Sequence, residues 1–231
     1  MVNNDRVWAR LLAAMAVLAL GVAAGCGTGE YERRMQQSIQ SGFAGGGGAG
    51  GGGGGAEVPG TSITLAVPGA YQPLAEGTHP SRLTPPFDLP DRKATYEASI
   101  ADATQGKQHY YLYVATADAA ADPLAALAAQ LGQKGLSAGS IEDSSVPIPG
   151  GEGNWKKVRA TGQQEFFYLD ASGQGQPTAM DGIVEAWGGV HKPSNSYVLL
   201  VWRVPAVLAG ADYANLDGVP KATAASVGAK P

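Results

Sequence analysis

The sequence is poor in the residues on which most reactive sites depend. Its 231 residues include one cysteine and three histidines, and a single thiol excludes an internal disulfide. His79, His109 and His191 are far apart, and none has a second ligand at a spacing typical of metal sites in helices or hairpins. Acidic residues outnumber basic ones by 20 to 16, so the basic surplus on which most nucleic-acid binders depend is absent. We therefore expect no cofactor, no metal and no nucleic-acid partner.

Motifs for covalent catalysis are also missing. The closest approach to the G-x-S-x-G turn of serine hydrolases is residues 137–140 (SAGS), which do not supply it. Paired carboxylates are the remaining option, because Glu165, Asp170, Asp181 and Glu185 flank a turn between two predicted strands. This group has two interpretations, a carboxylate-dependent hydrolase and a solvated sheet face. The sequence favours a protein that is not an enzyme.

The N-terminal residues have the pattern of an export signal. Arg6 and Arg10 precede an apolar run without charge, from Leu11 to Ala24. This run is shorter than the ~20 residues with which a helix crosses a bilayer. A secretory signal peptide over residues 1–25 therefore fits better than a stable membrane span.

The only cysteine ends this segment, in the tetrapeptide Ala23-Ala24-Gly25-Cys26. The tetrapeptide resembles the lipobox of bacterial lipoproteins, although alanine stands where leucine is usual. The resemblance implies that Cys26 is acylated and becomes the first mature residue, with the lipid bilayer as its partner. Two or more acyl chains make such an anchor stable, on the periplasmic side of a membrane or at the cell surface. The alternative is ordinary cleavage, which would release a soluble exported protein.

Residues 26–44 predict a lipidated N-terminus followed by a short amphipathic helix. Tyr31, Met35 and Ile39 recur at spacings of four, with charged and amide side chains around them. Such a helix would lie on the membrane or pair with another copy. A helix this short also frays when it is alone.

Residues 45–57 predict a flexible linker, because the run of glycines is interrupted only by Ala49 before it ends at Ala56. A glycine-rich chain over residues 42–57 would span ~20–24 Å, which keeps the folded part close to the membrane. The matches to G-x-G-x-x-G are accidental, since no strand leads into them and no helix follows.

Residues 58–231 predict one globular domain that begins with β-structure. Thr61 to Val67 alternates apolar and polar residues before a Pro-Gly pair, which predicts a strand and a turn. The proline-rich residues 68–91 predict a long surface loop with one short edge strand, and its function stays open. Lys93 to Ile100 and His109 to Ala117 predict an antiparallel hairpin.

One helix is clearly marked. Asp122 supplies an N-cap and Pro123 occupies the first helical position. Gly135 is placed to end the helix in a left-handed conformation. A single apolar stripe is formed by Leu124, Leu127, Ala128 and Leu131. We expect this helix to pack on a sheet.

Three further strands follow. Trp155 to Leu169 predicts a long strand broken near Gly162, a turn follows at residues 170–178, and the next strand runs from Gly182 to Trp187.

Tyr197 to Val204 is apolar at both odd and even positions, which predicts a central strand covered on both faces. Arg203 is expected at the end of this strand rather than paired, and the tail from Ala206 predicts one irregular helix.

The order of these elements is similar to the Mog1/PsbP-like α/β/α sandwich. The strand and turn in ITLAVPGAY, the tyrosine-rich hairpin, the helix led by ADPLAALAAQL, the strand that begins at Trp155 and the closing apolar strand carry the resemblance. It implies an α+β fold, a mainly antiparallel sheet flanked by helices. Members of that family mostly bind or assemble proteins and share no catalytic site.

These patterns favour a membrane-anchored, non-catalytic binding or assembly module of the bacterial cell envelope, with an envelope protein as its partner. The alternative is a small-molecule or glycan binder that uses surface aromatic side chains. Its candidate surface consists of Tyr111, Tyr113, Trp155 and Trp187.

Overall fold

The structure, a computed structural model, describes residues 55–74, 85, 87–89, 91–101 and 106–230. The predicted signal peptide, the lipidation site Cys26, the amphipathic helix and most of the linker lie outside these residues. Within the described ranges, no helix has both the length and the apolar character needed to span a bilayer.

Antiparallel β-structure makes up most of the described chain. Its strands are β1 (Ala56–Glu57), β2 (Ile63–Leu65), β3 (Gln72–Pro73), β4 (Arg92–Ala101), β5 (Lys107–Asp118), β6 (Ser137–Ala138), β7 (Glu142–Pro147), β8 (Asn154–Leu169), β9 (Gly175–His191), β10 (Ser196–Pro205) and β11 (Gly228–Ala229). The α-helices of the described residues are α1 (Pro123–Gln133) and α2 (Val219–Ala225), and 3-10 turns lie at Lys192–Ser194, Ala206–Leu208 and Asp212–Ala214.

The main sheet has the strand order β3-β4-β5-β10-β9-β8-β6, and β7 also pairs with β8. All its pairings are antiparallel. The strand β10 lies near the centre, as its continuous apolar sequence predicts, and every residue from Tyr197 to Pro205 is buried. A second, three-stranded sheet has the order β1-β2-β11.

The main sheet curls until its strands meet at one end. In the strand order β8 is three places from β5, yet the end of β8 also pairs directly with the start of β5, with Leu169 opposite Lys107 and Tyr168 opposite Gln108. The strands β5, β10, β9 and β8 therefore form a partly closed barrel. We call the region where β8 meets β5 the closed end.

Two apolar clusters cover the two faces of the sheet. Alternation along β5 separates them, because Tyr110 and Leu112 belong to one cluster and Tyr111 and Tyr113 to the other. The first cluster packs against the three-stranded sheet and α2. The second lies under α1, whose buried residues are Pro123, Leu124, Leu127 and Leu131.

The predicted helix α1 is present with its predicted cap. The side chain of Asp122 accepts a hydrogen bond from the backbone N–H of Ala125 at 3.1 Å, and Gly135 has a φ of 81°. The predicted hairpin is β4 and β5, and the predicted edge strand in the proline-rich segment is β3.

The predicted helix-flanked α/β/α sandwich is wrong. Only one face of the main sheet carries a helix of the expected kind, α1. The other face is covered by the three-stranded sheet and by α2, which has 7 residues. The tail after β10 forms 3-10 turns, α2 and β11 in place of one irregular helix.

Two expectations about the strands are also corrected. The strand β8 is continuous over 16 residues, with Gly162 paired opposite Gly182 and no break in register. The strand β9 begins at Gly175, inside the segment predicted to be a turn, and runs for 17 residues. The strand β8 is therefore unbroken and β9 is longer than predicted, because both strands continue past Gly162 and Gly182 to the closed end.

Candidate ligand-binding cavity

The four aromatic side chains predicted to form a binding surface are buried. Tyr111, Tyr113 and Trp155 have 0% of their surface exposed and Trp187 has 1%. The two tyrosines lie in the cluster under α1, and the two tryptophans lie in the cluster on the opposite face. These residues therefore build the core on both faces and present no common surface to a ligand.

Among the candidate catalytic carboxylates, Glu185 is buried, with 2% of its surface exposed. Its Oε2 accepts a hydrogen bond from Arg159 Nε at 2.7 Å, and its Oε1 accepts one from the indole N–H of Trp187 at 2.8 Å. Both oxygens are thus held by neighbours on the sheet. Glu185 acts as a structural ion-pair partner.

The other candidate carboxylates lie in or beside the β8–β9 hairpin, where Glu165 and Asp181 are exposed and Asp170 is half-buried. Asp181 accepts from the side-chain amide of Gln163 at 2.6 Å. Asp170 accepts from Ser172 and from the backbone of Gln174, and these hydrogen bonds lower its pKa. In the described part of the chain, no three His, Cys, Asp or Glu residues are grouped so that they could hold a metal ion.

A cavity of about 430 Å³ lies between the end of α1, the strands β8 and β9 and the end of β10. Its size is within the range of pockets for small ligands. The described lining residues are Pro85, Lys134, Leu136, Gln163, Gln164, Glu165, Phe166, Pro177, Ala179 and Arg203.

Arg203 is the buried polar group that distinguishes this cavity. It is 2% exposed, and its Nε donates to Gln164 Oε1 at 3.1 Å. One of its terminal nitrogens donates to the backbone carbonyl of Glu165. The guanidinium carbon lies 4.4 Å from the ring centroid of Phe166, a distance at which a cation is attracted to an aromatic face.

No carboxylate of the described residues forms an ion pair with Arg203. In register, Glu97 lies opposite Tyr111, and Tyr111 lies opposite Arg203. Glu97 is therefore two strands away and contacts His109 at 3.0 Å. A buried cation without a counter-ion is costly, because it loses its hydration.

Two further polar side chains, Tyr113 and Gln164, lie beside Arg203. Burial raises the pKa of the Tyr113 hydroxyl, and the guanidinium of Arg203 partly opposes that rise. Gln164 is 6% exposed, and within the described chain its Nε2 has no hydrogen-bond partner. Gln164 and Arg203 thus bring a donor without a described acceptor and an uncompensated cation to one cavity.

This cavity was not predicted from the sequence. Arg203 was expected at the end of its strand, and its burial among polar and aromatic partners was not foreseen. The available signal was the position of one arginine within an otherwise apolar strand. Gln164 and Phe166 carried no signal of their own, because only the curled path of β8 brings them to Arg203.

The cavity combines apolar walls with a fixed positive charge, an arrangement suited to binding. Lys134 and Glu165 give its lining one further charge of each sign. No family model and no curated protein matches the chain.

Proposed function

We propose that this chain is a membrane-anchored lipoprotein of the bacterial cell envelope whose folded domain binds a ligand and catalyses no reaction. The proposed location in the cell envelope rests on the export signal and on the lipobox-like residues that end at Cys26. The binding function rests on the cavity at Arg203. No hydroxyl, thiol or imidazole side chain is among the described residues that line it, so the described lining offers no serine-type or cysteine-type nucleophile and no histidine base.

The surface favours a small ligand over a protein partner. Among the described residues, the exposed large hydrophobic side chains are Ile141 at 37% and Val207 at 76%. Protein interfaces are usually anchored by buried aromatic and apolar groups at their centre. Two such side chains are too few for that anchor, whereas the cavity has apolar walls and a buried polar group.

Native mass spectrometry of the full chain extracted in mild detergent tests both parts of this proposal. We expect a covalent mass increase that corresponds to two or three acyl chains and a non-covalent small-molecule adduct. A Cys26→Ala variant should lack the acyl mass. Wild-type protein without acyl mass would contradict the anchor, and repeated recovery without any adduct from membranes would contradict the binding function.

A further inference from the structure

Resting on the proposed binding function, we infer that the cavity at Arg203 takes an organic monocarboxylate with an apolar body. The carboxylate would accept hydrogen bonds from the guanidinium of Arg203 and from the Nε2 amide of Gln164. The apolar body would lie against the carbon surfaces of the lining.

Arg203 keeps unused hydrogen-bonding capacity in this structure. A guanidinium has five N–H groups in a planar fork. The described acceptors are the Gln164 side chain and the Glu165 carbonyl, and the guanidinium lies close enough to the hydroxyl of Tyr113 to oppose part of the rise that burial causes in the pKa of that hydroxyl. At least two N–H groups thus have no described acceptor. A carboxylate matches such a fork geometrically.

The described lining of the cavity carries one net positive charge. Lys134 and Glu165 in the lining offset each other, so the net charge of the described lining is that of Arg203 alone. One negative charge compensates it. A doubly charged phosphate would exceed that charge and would face the carboxylate of Glu165, so a monoanion fits better.

The walls of the cavity offer apolar surface as well as charge. Half of the described lining is apolar, contributed by Pro85, Leu136, Phe166, Pro177 and Ala179. An ion that is charged over its whole surface would leave these walls unused. A ligand with a carboxylate at one end and carbon at the other uses both parts of the cavity.

The test is calorimetric titration of the detergent-solubilised full chain at constant ionic strength. The probes are benzoate, its neutral analogue benzamide, acetate and inorganic phosphate. We expect benzoate to bind at least tenfold more tightly than any of the other three. Benzoate at ten times its Kd should also raise the Tm by about 3–6 °C.

Two variants locate the binding. Arg203→Met keeps an unbranched buried side chain and should reduce benzoate affinity by at least tenfold, with the preference over benzamide lost. Ala179 is exposed on β9 and lines the cavity, so Ala179→Phe should block benzoate without a change in the core. Ala229→Phe is the matched control, because Ala229 is exposed on β11 in the other sheet.

Equal affinity for benzoate and benzamide, tighter binding of phosphate, no heat with benzoate, or full benzoate binding by Ala179→Phe would each overturn the inference. If Arg203→Met fails to fold, the Ala179→Phe comparison still decides the location. A native spectrum with an adduct but no carboxylate binding would remove this inference and leave the proposed binding function standing. If neither an adduct nor carboxylate binding is observed, both this inference and the proposed binding function are contradicted.

Discussion

Two buried charged residues, Glu185 and Arg203, differ in whether a described residue of opposite charge pairs with them. Glu185 is paired with Arg159 and with the indole of Trp187. Arg203 has aromatic and hydrogen-bonding neighbours but no described counter-ion. Removal of water from a charge costs several kcal/mol unless a partner offsets it. An external anionic ligand can therefore supply the partner that Arg203 lacks among the described residues.

Truncation of Glu185 should destabilise the fold without an effect on ligand binding. Glu185→Ala leaves the indole N–H of Trp187 without its acceptor and Arg159 without its partner, so we expect a loss of about 2–3 kcal/mol. Glu185→Gln keeps an acceptor for the indole and should lose less, about 1 kcal/mol. Urea unfolding followed by tryptophan fluorescence measures both.

Asp217→Ala is the control for this pair, because Asp217 is exposed and lies 3.8 Å from Arg159. Its urea midpoint should match that of the wild type. A Glu185→Ala variant as stable as Asp217→Ala would show that the buried pair does not stabilise the fold.

His191 should make the fold less stable in mild acid. It is 1% exposed, its Nδ1 lies 2.8 Å from Ser194 Oγ, and burial lowers its pKa. The unfolded chain therefore takes up a proton near the ordinary histidine value of ~6.5, while the folded state stays neutral to lower pH. Stability is retained above that value and falls as the pH falls below it.

Urea midpoints at pH 7.5 and pH 5.5 check this expectation. The wild type should lose more stability between the two values than His191→Gln, which keeps a polar group toward Ser194 and has no imidazole to protonate. An equal loss in the two proteins would assign the acid sensitivity to other groups.

At the level of elements, the cavity depends on the close approach of β8 and β9 at a glycine. Gly182 lies opposite Gly162 in register. A Cβ at Gly182 would lie 2.6 Å from the ring of Phe166 and 2.7 Å from Nε2 of Gln164. Both side chains contact Arg203, so the absence of a side chain at Gly182 helps to set their positions.

Gly182→Ala should therefore cost about 1–3 kcal/mol of unfolding free energy through overpacking and weaken ligand binding by displacing Phe166 or Gln164. The measurements are urea unfolding and benzoate titration. Gly210→Ala is the matched control, because a Cβ there meets no atom within 4 Å. If the two variants behave alike, the close packing at Gly182 does not determine the cavity.

The elements with local signals could be predicted from the sequence. The helix α1 follows from the Asp122 cap and the leucine stripe, the hairpin β4–β5 from alternation around a turn, and the central position of β10 from its double apolar pattern. Each of these features is contained within one continuous segment of the chain, where periodicity and turn chemistry act.

The sheet closure and the cavity could not be predicted in the same way. Gly162 was predicted to break its strand, Gly175 to lie in a turn and Gly182 to begin the next strand, because glycine weakens a single strand. In the folded sheet Gly162 and Gly182 lie opposite each other and Gly175 lies beside the ring of Phe167, so the strands continue. The burial of Arg203 depends on contacts with residues about forty positions earlier in the chain. No local sequence pattern contains both partners of such a contact.

For the whole molecule, the curled main sheet explains both why the fold differs from an α/β/α sandwich and where the cavity at Arg203 lies. A flat antiparallel sheet between two helical layers would leave its strand ends open. Here the sheet curls so that β8 pairs with β5, and the space between the closed end and the end of α1 is the cavity. The single face covered by α1 is the face on which Arg203 lies.

The measurement that tests this account most directly is a comparison of native mass spectra of wild-type protein and the Ala179→Phe variant, both extracted from membranes under the same conditions. We predict a non-covalent small-molecule adduct on the wild type that is absent from Ala179→Phe and retained by Ala229→Phe, with the same acyl mass on all three. An adduct that persists on Ala179→Phe, or a wild-type protein that is always recovered without one, would contradict the claim that this domain binds its ligand in the cavity at Arg203.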